Sequence, residues 1–217
     1  MRLNKDPWSA ATHFAGFLAA IVGVVFLVLP SLHSAPKVAA MLVYGGTLIT
    51  LFLASTVYHF FDLGHRGNRW LKRLDHSAIF GLIAGSYMPP VVHLLDGTLR
   101  VVMLAVIAGI ALLGVAVKLL WIDSPSWLGL TLYLALGWIV LVPIWWMLPA
   151  MAPGAFTLLA AGGVAYTLGA VVYARRWPDP WPNKFGHHEV WHLFVLGGAV
   201  LHYFFITTLV TAAVPAF

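Results

Sequence analysis

Cysteine is absent from this 217-residue chain, so disulfides and thiolate metal ligands are both excluded, and any metal must be held by imidazole, carboxylate or water. Charge is scarce too: 9% of the residues are charged against 61% hydrophobic, too few to coat a water-soluble domain of this length. Long hydrophilic segments, low-complexity stretches and shifts in composition are missing, which argues against a second domain. Alternating polarity is missing as well. Val101 to Val117 is apolar on every side, unlike the strands of about ten alternating residues that build a membrane barrel. What is present is long apolar runs, and the solvent they require is the bilayer.

A helix needs about 20 mostly apolar residues to cross about 30 Å of hydrocarbon. That rule predicts spans near residues 11–30, 38–60, 75–95, 99–121, 127–147, 153–174 and 188–212, making the chain all-α, a seven-transmembrane helix bundle in one domain over 1–217. Pro30, Pro36, Pro125, Pro149, Pro153, Pro178, Pro180 and Pro182 fall between these runs, where a missing amide does least harm. Pro89 and Pro90 end the third run and Pro143 lies inside the fifth, so a kink or early helix end is expected at each. Arg2 and Lys5 precede the first apolar run as in a signal peptide, but no small-residue cleavage site follows. The first span is therefore expected to be retained.

Lys and Arg gather on cytoplasmic loops. With seven spans, Arg2, Lys5, Arg66, Arg69, Lys72, Arg73, Lys118, Arg175, Arg176 and Lys184 share one side, leaving only Lys37 and Arg100 opposite. The N-terminus is expected in the cytoplasm and the C-terminus outside. The formal charge of +5 is spread over short loops beside apolar runs, where anionic lipid headgroups are nearer partners than nucleic acid, which is not expected to bind.

Ionisable groups inside spans are costly and mark functional candidates. His59 ends the second span and Asp75 opens the third, while His188 and His192 open the seventh with the i,i+4 spacing that puts both imidazoles on one helix face. All four sit at the cytoplasmic edge. Together they form a ligand set suited to Zn²⁺, which takes imidazole and carboxylate in four-coordinate geometry. Three histidines leave a position open for water, with Asp75 either a ligand or acting through that water. Taken alone, Asp75 reads first as the N-cap of the third span, a duty that can coexist with a metal. Ser55, one turn before His59, could orient a ligand or stabilise an oxyanion, or bond the carbonyl one turn back.

The remaining polar residues read more plainly. His202 lies about 15 Å further along its helix than His192, too deep for the same ion, and is expected to hold an interior hydrogen bond. His13, His76 and His187 lie near the inner face as possible outer partners of the site. Glu189 is expected to meet solvent or headgroups, and Trp8, Trp70, Trp121, Trp127, Trp145, Trp146, Trp177, Trp181 and Trp191 form an aromatic belt. Gly45-Gly46, Gly162-Gly163 and Gly197-Gly198 suit close helix packing.

Ser55-x-x-x-His59, then Leu74-Asp75-His76-Ser77-Ala78-Ile79 continuing to Ala84-Gly85-Ser86-Tyr87, then His188-x-x-x-His192-x-Phe194 stand in this order along the chain. On these motifs it resembles the hemolysin III family of bacterial membrane proteins, within the progestin and adipoQ receptor superfamily and more distantly the alkaline ceramidases. Met88 departs from the residue many relatives carry, far from the histidines. The resemblance implies a seven-helix bundle in the cell inner membrane with its N-terminus inside. It also implies zinc held by His59, His188 and His192, Asp75 near the metal's water, and Ser55 behind the ligands.

Two functions follow as expectations. One is a zinc-dependent, ceramidase-like hydrolase of a lipid amide or ester, tied to membrane-lipid homeostasis, with Asp75 as the proton carrier and Ser55 at the oxyanion. The other is a membrane-state sensor or receptor-like protein in which zinc ties spans together. A pore, which the lytic family name suggests, ranks last, because pores carry polar groups along a path through the membrane.

Overall fold

The computed structural model describes residues 2–3, 5–182 and 184–211. Its long helices are α1 (Pro7–Val28), α2 (Ala35–Phe60), α3 (Gly64–Leu94) and α4 (Gly97–Leu120). The short α5 (Ser126–Trp138) and α6 (Ile144–Met147) follow, then α7 (Ala155–Arg175) and α8 (His187–Thr211). Six helices are long and apolar enough to cross a membrane, and Ser126–Leu141 with Ile144–Ala150 makes a seventh span bent by 43°. The break falls at Val142 and Pro143, where proline removes an amide. Consecutive helices pack side by side from α1 to α4 and from α7 to α8, α5 lies against α3, α4 and α7, and α1 meets α8 to close the ring. Outward positions carry exposed Leu, Val, Phe and Trp side chains, Leu112, Leu120 and Trp145 among them, as lipid-facing surface should.

One apolar cluster joins α1, α2 and α8 through Leu27, Met41, Tyr44, Phe52, Phe205 and Ile206. A second joins α3, α4 and α5 through Phe80, Val91, Met103, Ile107 and Leu136. Before α1, a two-residue strand β1 (Arg2–Leu3) pairs antiparallel with β2 (Phe61–Asp62), so the chain start is laced to the end of α2.

The helix bounds depart most from the hydropathy at α3, which begins at Gly64 rather than near 75. Arg66, Arg69, Lys72 and Arg73 lower the hydropathy of its first turns, but hydropathy marks where hydrocarbon begins, not where backbone bonding begins. Those turns are held by polar contacts: Arg69 pairs with Asp123 at 2.7 Å, and the Arg73 guanidinium lies 4.8 Å from the Trp70 ring. Gly64, at φ +73°, makes the turn into the helix, with its amide donating to the Asp62 carboxylate at 3.0 Å. The N-cap reading of Asp75 is thereby overturned, because Leu63 occupies that position and Asp75 lies in the helix interior, 4% exposed.

Pro89 and Pro90 do not end α3, which continues to Leu94. In hydrocarbon an unpaired backbone costs more than the two missing amides. The expected last residue of the seventh span, 212, lies outside the described residues.

Candidate metal centre

His59 sits at the last turn of α2, and its place is set by the chain start. The Asp6 amide donates to the His59 carbonyl at 2.9 Å, and His59 Nδ1 donates to Asp6 Oδ2 at 2.9 Å. That second bond puts the proton on Nδ1 and leaves Nε2 with a free lone pair. His59 Nε2 faces His188 Nε2 at 3.5 Å. His192, one turn beyond His188 on α8, completes the group: the ligand atoms of His59, His188 and His192 all lie within 4.8 Å of one another.

The donor set fits a metal ion. A lone pair of one buried imidazole turned toward a nitrogen of another repels unless a proton or cation lies between them. His59 and His192 are 4% and 1% exposed, and His192 Nδ1 is buried without a hydrogen-bond partner among the described residues. Neutral imidazoles in a cysteine-free site suit a borderline cation such as zinc.

Asp75 and Ser55 stand beside the triad rather than in it. Asp75 is not among the residues of the 4.8 Å group, and its Oδ2 lies 3.5 Å from His76 Nδ1. Asp75, Ser55 and His13 line a cavity of about 200 Å³ that runs into the bundle past Ile79, Tyr133, Tyr166 and Phe205. The structure thus gathers His59, His188 and His192 at one point, with Asp75 and Ser55 on the wall of the adjoining cavity.

Outside the spans, two charges adjust to this site. Burial pushes the Asp6 carboxyl up, yet the hydrogen bonds from His59 and Ser9 and the charge of His59 together outweigh it and hold the group below the usual carboxylate range. Burial lowers the Lys5 ammonium, whose Nζ lies 3.7 Å from the centre of the Tyr58 ring.

Sequence reasoning missed Asp6. Its one signal is an acid directly before the first apolar run on the side where His59 ends. Trp191 is no lipid-facing anchor: its ring packs 5.2 Å from His188, 5.1 Å from His192 and 4.9 Å from Tyr173. Glu189 does not simply meet solvent, since its Oε2 accepts the Gly186 amide at 2.7 Å and so secures the start of α8. His202 donates Nε2 to the Leu159 carbonyl at 3.3 Å, away from the triad.

Residues 1–203 match the family described as Haemolysin-III related. A hemolysin-3 homolog of Bacillus subtilis (strain 168) is 31% identical over 205 residues, covering 93% of this chain and 92% of that protein. Hemolysin-3 of Bacillus cereus is 33% identical over 205 residues, with coverage of 93% and 90%. Heptahelical transmembrane protein 4 of Arabidopsis thaliana is 33% identical over 176 residues, covering 73% of this chain and 45% of the plant protein.

Proposed function

The chain belongs to the haemolysin-III related family of membrane proteins, and from that premise we propose that it is a zinc-dependent hydrolase of a lipid amide or ester in the cell inner membrane. The observation that carries the reading is the histidine triad of His59, His188 and His192 next to an apolar cavity whose wall carries Asp75, Ser55 and His13, the ring stacked on His192. A closed structural zinc site has four protein ligands, and the position of Asp75 outside the triad favours a site with room for water and substrate. The clustering of Lys and Arg supports a cytoplasmic N-terminus and a triad at the inner leaflet.

His59, His188 and His192 would hold the ion, with Asp6 fixing the tautomer of His59. Polarisation of the substrate carbonyl and acidification of water are what zinc supplies when bound. Asp75 accepts the proton of the attacking water and returns it to the departing amine or alcohol as the C–N or C–O bond breaks. Ser55 offers its hydroxyl to the developing oxyanion. The acyl chain lies along the apolar cavity walls. A second recess of about 520 Å³, between α5, α7 and the start of α8 and bordered by Trp127, Tyr173, Arg176 and His188, suits a lipid headgroup arriving from the interface.

The test has two parts. Purified protein handled without chelator should carry about one zinc per chain by elemental analysis. It should also release fatty acid from panels of ceramides and phospholipids, with the product lost in Asp75→Ala. Metal-free protein removes the site assignment, and equal product from both proteins removes the hydrolase reading.

A further inference from the structure

His13 on α1 lies outside the triad, yet it is among the most deeply buried polar residues described, at 3% exposure. Its ring is stacked on His192, with centroids 3.8 Å apart and planes 22° from parallel, and meets Phe52 edge-on at 5.2 Å. Both ring nitrogens are buried, and neither has a hydrogen-bond partner among the described residues. A neutral imidazole carries one N–H and one lone pair, so this burial forfeits a donor and an acceptor that water would satisfy. Packing does not ask for that loss. Phenylalanine or leucine would fill the same place with no polar group to satisfy.

The adjoining cavity is the place from which a partner can come. His13, Ser55 and Asp75 line it from three different helices. The geometry points to His13 as a substrate-binding residue, hydrogen-bonded to the polar head of the lipid amide or ester beside the triad. The stack on His192 fixes its ring plane, which lowers the entropy lost when that bond forms. The assignment rests on the proposed metal site, and its test keeps the two apart.

Octanohydroxamic acid, a metal-binding amide analogue on a short acyl chain, serves as the probe. Wild type, His13→Phe and His13→Gln are loaded with Co²⁺ in detergent, so that the ligand-field spectrum reports metal occupancy and probe binding separately. Phenylalanine keeps an aromatic ring against His192 and deletes both nitrogens, whereas glutamine keeps a donor and an acceptor. All three should hold Co²⁺ with the same affinity in chelator competition. The probe should bind about tenfold more weakly to His13→Phe, the effect of one buried hydrogen bond, and nearly normally to His13→Gln. Unchanged probe affinity in His13→Phe overturns the assignment. So does weakened metal binding with normal probe affinity, which would make His13 a support for His192 alone. Failure of wild type to bind Co²⁺ overturns the metal reading itself, and this assignment with it. If thermal unfolding shows His13→Phe to be misfolded, His13→Leu replaces it with the same expected loss.

Discussion

Asp6 and His59 show at the scale of single residues how a weakly charged chain shapes a ligand. An unaided imidazole exchanges its proton between two nitrogens, and the carboxylate 2.9 Å from Nδ1 ends that exchange. Asp6→Asn should weaken zinc affinity by about 10–100-fold in chelator competition while leaving helix content unchanged, because outer partners of this kind typically carry that much. Asp6→Glu should recover part of the loss. His59→Ala, His188→Ala and His192→Ala should each abolish stoichiometric zinc in elemental analysis, whereas His202→Ala should keep it, since His202 bonds Leu159 instead. The triad histidines were legible in the sequence because helix periodicity relates His188 to His192 and hydropathy places His59 at a span end. Asp6 was not, because its contact depends on how the chain start folds back over α2, which no local pattern encodes.

Among the elements, the bent fifth span depends most on a partner. Just before its break, where α5 ends, the Tyr87 hydroxyl of α3 lies 2.9 Å from the Leu136 carbonyl and 2.5 Å from that of Gly137, and it accepts the Val140 amide at 3.0 Å. A broken helix at membrane depth survives only where such partners replace its own ladder. Tyr87→Phe removes this partner from the Gly137 carbonyl and the Val140 amide and should cost about 1–3 kcal/mol, read as a lower unfolding temperature in detergent with zinc content unchanged. The α3–α4 contact is close for a different reason: a Cβ on Gly114 would stand 2.3 Å from the Phe80 ring. Gly114→Ala should therefore destabilise the bundle by about 1–3 kcal/mol through overpacking, measured by the same unfolding assay. Pro143 announced the break in the sequence. Pro89 and Pro90 announced a kink or an early helix end, and the early end does not occur, since α3 runs on to Leu94.

Across the whole molecule, the triad joins α2 to α8, helices far apart in sequence that have only a few ring contacts of their own at this level. A metal bound there stabilises the closed ring by mass action. With zinc at 100 to 1,000 times its dissociation constant the gain is about 3–4 kcal/mol. Dialysis against a chelator should lower the unfolding temperature of the wild type accordingly and leave that of His188→Ala nearly unmoved. The orientation of the bundle is a separate matter, carried by the ten basic residues on one side and Lys37 and Arg100 on the other. A reporter fused before residue 1 should be active only if it works in the cytoplasm; activity of an exported reporter there would reverse the topology.

Sequence by itself determined the membrane-crossing character, the number of spans and the two halves of the histidine triad, because hydropathy and the 3.6-residue period act locally. The three motifs in order also determined the family. Tertiary structure alone decided where α3 begins, that Asp75 is an interior residue beside the triad rather than a cap, that Asp6 and Trp191 contact the triad, and that His13, which the sequence offered only as a possible outer partner, stacks on His192. Each of these depends on contacts between segments distant in sequence, set by how seven helices close into a ring. The absence of cysteine acts on both levels. Without cysteine any metal ligand had to be imidazole, carboxylate or water, and only the closed ring brings the ligand atoms of three histidines within 4.8 Å.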